Sequence, residues 1–249
     1  MSPKRIPFVA LNSLLRRQFP HIDNPTRLIT QGSVLVNGSP ASNPHARVRA
    51  DAAIRIRQPR PLRGTIKLTH AINAFGIDAQ GMVALDLGAA AGGFTQALLD
   101  AGAARVYAVD AGTGQLRGWL GADPRVINLE RTNLALLNRD LVPDPVDLVT
   151  MDLSYLAVAG AIGQLEREML APRAELIALI KPTFELHAGA LAIDPAQVTA
   201  AVADAQRAIG REGWDVLGQE RSPINGSKGA IEVFLHARRR RPNLRPLVW

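Results

Sequence analysis

The chain has no cysteine among its 249 residues, which removes disulfide scaffolds, thiolate metal sites and cysteine nucleophiles together and is compatible with the cytosol. No apolar run approaches the roughly 18 residues that cross a bilayer. Behind the basic start Met1-Ser2-Pro3-Lys4-Arg5, residues Arg16, Arg17 and Pro20 break the sequence before the apolar region of a signal peptide forms. The five histidines, His21, His45, His70, His187 and His236, show no metal-ligand spacing. These absences predict a cytoplasmic protein with no metal and no membrane partner. Lysine is scarce as well: Lys4, Lys67, Lys181 and Lys228 stand against 25 arginines. Arginine is permanently charged, whereas a lysine amine can lose its proton, so the few lysines mark places where a base could be needed.

What is present is enough apolar residue, 47%, to bury one large core or a medium and a small one. The charge is unevenly spread. Residues 1–60 carry ten Lys or Arg against Asp23 and Asp51, a net of +8. Residues 61–237 carry fourteen against twenty acids, a net of −6, and the last twelve residues carry five Arg and no acid. A basic head and tail around an acidic body predict that a polyanion is held by the ends.

Proline, glycine and arginine without hydrophobic period mark 59–65 as a linker between a small domain, 1–58, and a larger one, 66–237, with a basic tail, 238–249. In the small domain, spacing predicts a helix over 9–18 and a second one opened by Asn24-Pro25. A strand from Ser33 enters an Asn37-Gly38 hairpin turn, and Ile54 to Arg57 alternates apolar and basic. In the large domain, short apolar runs at 83–87, 106–109, 126–129, 146–151 and 176–180 alternate with helical segments such as 94–99 and 155–170, the pattern of a mainly parallel, doubly wound α/β sheet. Two last strands, 214–219 and 231–236, are separated by a loop too short for a crossover, so the last should run antiparallel.

The turn Asp86-Leu87-Gly88-Ala89-Ala90-Ala91-Gly92-Gly93-Phe94 follows the first of these strands and opens a helix. Its small residues let a ligand approach the backbone. The second strand ends at Asp110, where a carboxylate could accept from a ribose diol. Gly88, Ala89, Gly92, Gly93 and Phe94, with Asp86 and Asp110, are therefore candidate cofactor-binding residues. The turn by itself also nearly fits a dinucleotide fingerprint and leaves NAD open.

Two resemblances add to this reading. The small domain, through Gly32 to Gly38 with Pro44 and Val48, resembles the alpha-L RNA-binding module of ribosomal small-subunit type. Lys67, Asp152, Lys181 and Glu232, in Ile66-Lys67, Met151-Asp152-Leu153, Ile180-Lys181-Pro182-Thr183-Phe184-Glu185 and Gly229-Ala230-Ile231-Glu232, resemble the Lys-Asp-Lys-Glu tetrad of the FtsJ-like RNA ribose 2′-O-methyltransferases. Together with Glu130-Arg131-Thr132-Asn133 and the small domain, the chain is similar to haemolysin-A-type (TlyA) rRNA methyltransferases. The resemblance implies a class I, Rossmann-like methyltransferase fold with a seven-stranded sheet and an antiparallel last strand. It implies S-adenosylmethionine as cofactor, held also by Asn133 and Asp152, and ribosomal RNA or a ribosomal subunit, not DNA, as partner. It makes Lys67, Asp152, Lys181 and Glu232 catalytic, with Lys181 as the base that takes the proton of a ribose hydroxyl or as the residue that orients that hydroxyl.

Two segments depart from the family pattern: Leu62-Arg63-Gly64-Thr65 before the first catalytic lysine, and a shortened loop at 186–190. The competing reading is an RNA-binding protein with a catalytically degenerate methyltransferase domain. A membrane-active toxin lacks both a span and a long basic amphipathic helix in this sequence.

Overall fold

Local signals account for most of the first unit. In the computed structural model, which describes residues 6–57, 61–154, 156–185 and 194–241, strand β1 (Phe8–Ala10) runs directly into helix α1 (Leu11–Gln18). Val9 and Ala10, expected in the helix, are in the strand instead, because Val9 pairs with Val48 of a later strand. Helix α2 (Pro25–Thr30) starts as its sequence predicts: Pro25 needs no N–H partner, and the Asn24 side chain accepts from the Arg27 N–H at 3.0 Å. Strand β2 (Val34–Val36) turns into β3 (Ser39–Ala41) through Asn37 and Gly38, at φ 50° and 87°. Positive φ at both positions matches the twist of the flanking strands and selects Asn-Gly. Strand β4 (Arg47–Arg49) pairs with β1, and β5 (Ile54–Ile56) pairs with β2. Leu11, Leu15, Ile29 and Val34 form the fully buried core, while Arg16, Arg17, Arg47, Arg49, Arg55 and Arg57 are exposed.

The division into units falls between Pro61 and Leu62, earlier than the expected end of the linker. Arg63, Gly64 and Thr65 are not linker but the first turn of α3 (Arg63–Phe75), which stops at Gly76 in the left-handed conformation, φ 63°. Gly64 belongs there because its Cα lies against Gly93, where a side chain would not fit.

After α3 come β6 (Val83–Leu87), α4 (Gly93–Asp100), β7 (Arg105–Val109), α5 (Gly118–Gly121), β8 (Val126–Leu129), β9 (Val146–Met151) and α6 (Val158–Ala161). Then follow β10 (Leu170–Ile180), α7 (Pro182–Glu185), α8 (Pro195–Arg211), β11 (Trp214–Arg221) and β12 (Val233–Arg239). The strands form one sheet in the order β11-β12-β10-β9-β6-β7-β8. The pairs from β10 across to β8 are parallel, and β12, inserted between β10 and β11, is antiparallel to both. Helices α3, α4 and α5 cover one face through Leu68, Ile72, Phe94, Leu98 and Leu120. Helices α6 and α8 cover the other through Val158, Ala161, Val202, Ala205 and Ile209. Each fully buried leucine or isoleucine stabilises these layers by about 1.5–3 kcal/mol.

Three expectations need correction here. The long helix over 155–170 is broken into α6 and two 3₁₀ turns, Ile162–Gln164 and Arg167–Met169. Gly160 and Gly163 weaken a continuous helix by about 1 kcal/mol each, and short turns already bury Val158, Ile162, Leu165 and Met169. The last strand starts after Ile231 and Glu232 and runs on to Arg239. Arg238 and Arg240, expected in a free basic tail, are anchored: Arg238 pairs with Glu175 at 2.6 Å and Arg240 with Asp215 at 2.7 Å. Residues 242–249, like the loop 186–190, lie outside the described residues. Among the described residues no helix is long and apolar enough to cross a membrane.

Candidate active site

The chain winds outward from β6 through β7 to β8, then returns to place β9 on the other side of β6. That reversal opens a crevice at the carboxyl ends of the strands. A cleft lies there, lined by Leu87, Gly88, Val109, Asp110, Ala111, Thr132, Leu134 and Leu153. Of the residues expected to hold a cofactor, Gly88 and Asp110 line it. Gly88 has φ 85°, and a Cβ there would come within 2.7 Å of the Asp152 carbonyl oxygen, so glycine is required on two counts. The Asp110 carboxylate accepts from the Ala90 N–H at 2.8 Å and the Gly112 N–H at 2.7 Å. Each oxygen keeps a lone pair for a ligand hydroxyl.

The other expected cofactor residues, Asp86, Ala89, Gly92, Gly93, Phe94, Asn133 and Asp152, do not line the cleft. Asp86 is fully buried within β6 and accepts from the hydroxyls of Thr95 at 2.6 Å and Thr150 at 3.0 Å. Burial pushes its carboxyl up to about 6, with the two hydroxyls opposing the shift. Ala89 donates its N–H to the Val109 carbonyl at 3.0 Å. Gly92, at φ 91°, lies where a Cβ would run into Leu120. A Cβ on Gly93 would meet Gly64 Cα at 2.7 Å, and the Gly93 carbonyl accepts from Thr65 Oγ1 at 2.9 Å. Phe94 is 3% exposed, in the core beneath α3. Asn133 caps the 3₁₀ turn Leu134–Leu136 by accepting from Ala135 N–H at 3.2 Å, leaving its neighbours Thr132 and Leu134 in the cleft wall. Those two, with Leu87, Val109, Ala111 and Leu153, were not singled out from sequence. The ends of the first, second and fourth strands of the large sheet are the signal that could have found most of them.

Beside the cleft, three strands deliver charge to one edge. Asp152 follows β9 and Lys181 follows β10, its parallel neighbour. Glu232 immediately precedes β12, whose first residue Val233 stands opposite Ile180, the last residue of β10. Lys67 comes from α3, the helix held against the cofactor turn by Gly64 and Gly93. The four residues form two ion pairs. Lys67 Nζ pairs with Glu232 Oε2 where both side chains are buried, and Lys181 Nζ lies 2.6 Å from Asp152 Oδ1. Glu232 leans on Gly226, which has no room for a side chain, and the Arg63 guanidinium donates to the Asn225 carbonyl at 2.6 Å. Lys181 also donates to Ser154 Oγ at 2.8 Å.

The cleft fits the adenosine end of S-adenosylmethionine. Apolar residues Val109, Leu134 and Leu153 can flank a purine, Asp110 can accept from a ribose diol, and Gly88 leaves the backbone open to close approach. The inserted antiparallel β12, the cleft at the switch point and its acid after β7 define a class I, S-adenosylmethionine-dependent methyltransferase. More closely, the FtsJ-like methyltransferase model matches residues 61–239, and the chain belongs to that family. It is 37% identical over 224 residues to the 16S/23S rRNA (cytidine-2′-O)-methyltransferase TlyA of Mycobacterium tuberculosis, covering 85% of this chain and 82% of that one. It is 30% identical to Hemolysin A of Brachyspira hyodysenteriae, over 84% of this chain and 90% of the relative. A solved structure provisionally described as a hemolysin, from Streptococcus thermophilus, superposes with a TM-score of 0.69 at 26% identity, covering 95% of this chain and 90% of that one.

Proposed function

We propose that the chain methylates the ribose 2′-hydroxyl of a cytidine in ribosomal RNA, in the cytoplasm, with Lys67, Asp152, Lys181 and Glu232 as its catalytic residues. The observation that carries this reading is the pair of ion pairs beside the cleft, with one lysine buried against its carboxylate and the other at the rim. The cytidine-2′-O name of the mycobacterial relative supports the choice of substrate atom.

When bound, S-adenosylmethionine supplies an electrophilic methyl group. The chain's own residues do the rest by placement, which is where the barrier of an in-line transfer mainly falls. Leu134, Leu153 and Asp110 hold the adenosine end. Lys181 stands at the rim, 12% exposed, and takes the proton of the attacking hydroxyl. Asp152 fixes the direction of that amine and stabilises it once it carries the proton. Lys67, neutralised by Glu232, closes the edge beside it without adding a net charge. The exposed arginines of residues 6–57 hold phosphate, following the resemblance of that unit to an RNA-binding module, and supply affinity that falls with salt.

The test is transfer of a labelled methyl from S-adenosylmethionine to ribosomal subunits never exposed to the enzyme. Label should resist alkaline hydrolysis at a single pyrimidine, as a 2′-O-methyl does. Label released with the base, or absent although the cofactor binds, would reject the reading in favour of a base methyltransferase or an RNA-binding protein without activity.

A further inference from the structure

The tetrad leaves two contacts of Lys181 unassigned, the hydrogen bond to Ser154 Oγ and the Phe184 ring, whose centroid lies 5.7 Å from the amine, and only the first can take an N–H directly. Asp152-Leu153-Ser154 follows β9, and Leu153 turns inward to the cleft wall, 4% exposed. Asp152 and Ser154, two residues apart, both reach the Lys181 amine, at 2.6 Å and 2.8 Å. Ser154 is exposed to solvent, whereas the Lys181 side chain is 12% exposed and that of Asp152 24%.

A neutral amine has two N–H bonds and one lone pair, arranged tetrahedrally. With one N–H given to Ser154 and the Asp152 carboxylate 2.6 Å away on another side, the directions left to the lone pair are narrowed. We infer that Ser154 is a positioning residue for the reaction. Its hydroxyl occupies one N–H of Lys181, aims the lone pair at the ribose hydroxyl, and opens the exit through which the captured proton leaves. This rests on the reading of Lys181 as the base.

The steps balance. The 2′-O–H bond breaks as oxygen gains the methyl carbon, and that proton forms the third N–H bond of Lys181. The ammonium then gives one proton to Ser154 Oγ while the serine's own proton passes to water. Lysine returns to the neutral amine and serine is unchanged. Without the hydroxyl, the Asp152 carboxylate alone orients the amine, whose lone pair can then turn away from the ribose hydroxyl, and a misplacement of about 1 Å costs on the order of 100-fold.

The experiment compares wild type, Ser154→Ala and Ser154→Thr as full-length chains. It reads kcat, KM for ribosomal subunits and S-adenosylmethionine affinity by calorimetry. Ser154→Ala should lower kcat about 10- to 100-fold, with KM and cofactor affinity within about twofold. Ser154→Thr should recover most of the rate. A Ser154→Ala enzyme within twofold of wild type would overturn the inference and leave the proposed reaction standing. So would a loss that Thr does not rescue, or one that comes with weakened cofactor binding. Wild type that transfers no methyl to any subunit would overturn both.

Discussion

The two units of the chain hold themselves together on different scales. The N-terminal unit relies on strands of three residues, helices of eight and six residues, and a core centred on Leu11, Leu15, Ile29 and Val34. Its definition comes from local devices, the Asn24 cap and the Asn37-Gly38 turn among them. The methyltransferase unit has a seven-stranded sheet buried on both faces, and its site is assembled by residues far apart in sequence: Lys67 meets Glu232 across 165 positions. A small unit of this kind can present a charged surface but has little stability to spare. The larger one can hold buried ion pairs in place, because removing either partner leaves a charge that the surrounding core cannot solvate.

The largest expected effect tests whether the chemistry belongs wholly to the larger unit. Lys181→Arg keeps a cation but not a group that readily gives up a proton. It should lower methyl transfer to ribosomal subunits by about 10² to 10⁴, while calorimetry finds S-adenosylmethionine affinity nearly unchanged. Near-normal activity would make Lys181 a phosphate-holding or structural cation.

Next in size is a change that should break the small unit and spare the other. Leu15→Ala removes a side chain with no exposed surface and should cost about 2–5 kcal/mol, a large share of what such a unit has. The variant should lose RNA affinity and the salt dependence of that affinity, yet keep cofactor binding and the unfolding transition of the sheet domain. RNA binding with an unchanged salt slope would show that the arginines of residues 6–57 are a solvated face.

Within the larger unit, Asp110→Ala should weaken S-adenosylmethionine binding by about 1.5–3 kcal/mol, the worth of a hydrogen bond to a charged group. The carboxylate also holds the N–H groups of Ala90 and Gly112. Asp110→Asn is the companion variant, which keeps an acceptor oxygen for one of those contacts and sets its NH2 against the other N–H. Unchanged cofactor affinity in both variants would dismiss the assignment of Asp110 to the ribose.

The same contrast of scales governs what the sequence made legible. The α2 cap, the Asn37-Gly38 turn and five parallel strands could be read directly, because each rests on neighbouring residues or a short apolar run. The grouping of Lys67 with Glu232 and of Lys181 with Asp152 could be anticipated because lysine is rare in this chain and the motifs around these residues are distinctive. What escaped were residues whose role is set by a distant partner. Gly64 looks like linker until Gly93 is placed against it, and Arg238 looks like tail until Glu175 faces it across the sheet. The cleft wall at Thr132 and Leu134 depends on where β8 ends relative to β7, which no local pattern encodes. Asp86 belongs to the same group. In sequence it opens the cofactor turn, whereas in the fold it ties β6 to Thr95 at the start of α4 and to Thr150 of β9.

That tie gives the smallest predicted effect and the one most specific to the interior of the larger unit. Asp86 is raised by burial from an ordinary value of 3.8 to about 6 in the folded protein. A carboxyl raised in this way binds its proton more tightly folded than unfolded, so its contribution to stability is fully present below about 4 and is lost as pH rises through about 6. Lowering the pH from 7 to 5 should therefore add about 1 kcal/mol to wild-type stability from this group alone. Asp86→Asn does not titrate but keeps an oxygen to accept from one of the two threonine hydroxyls, so it removes the pH dependence without emptying the site. The difference in unfolding free energy between wild type and Asp86→Asn, measured by denaturant titration at each pH, should move toward wild type by that amount as the pH falls. A difference that stays flat between pH 7 and 5 would mean that the two hydroxyls hold the buried carboxylate as well as water does, and that it remains charged at the centre of the sheet.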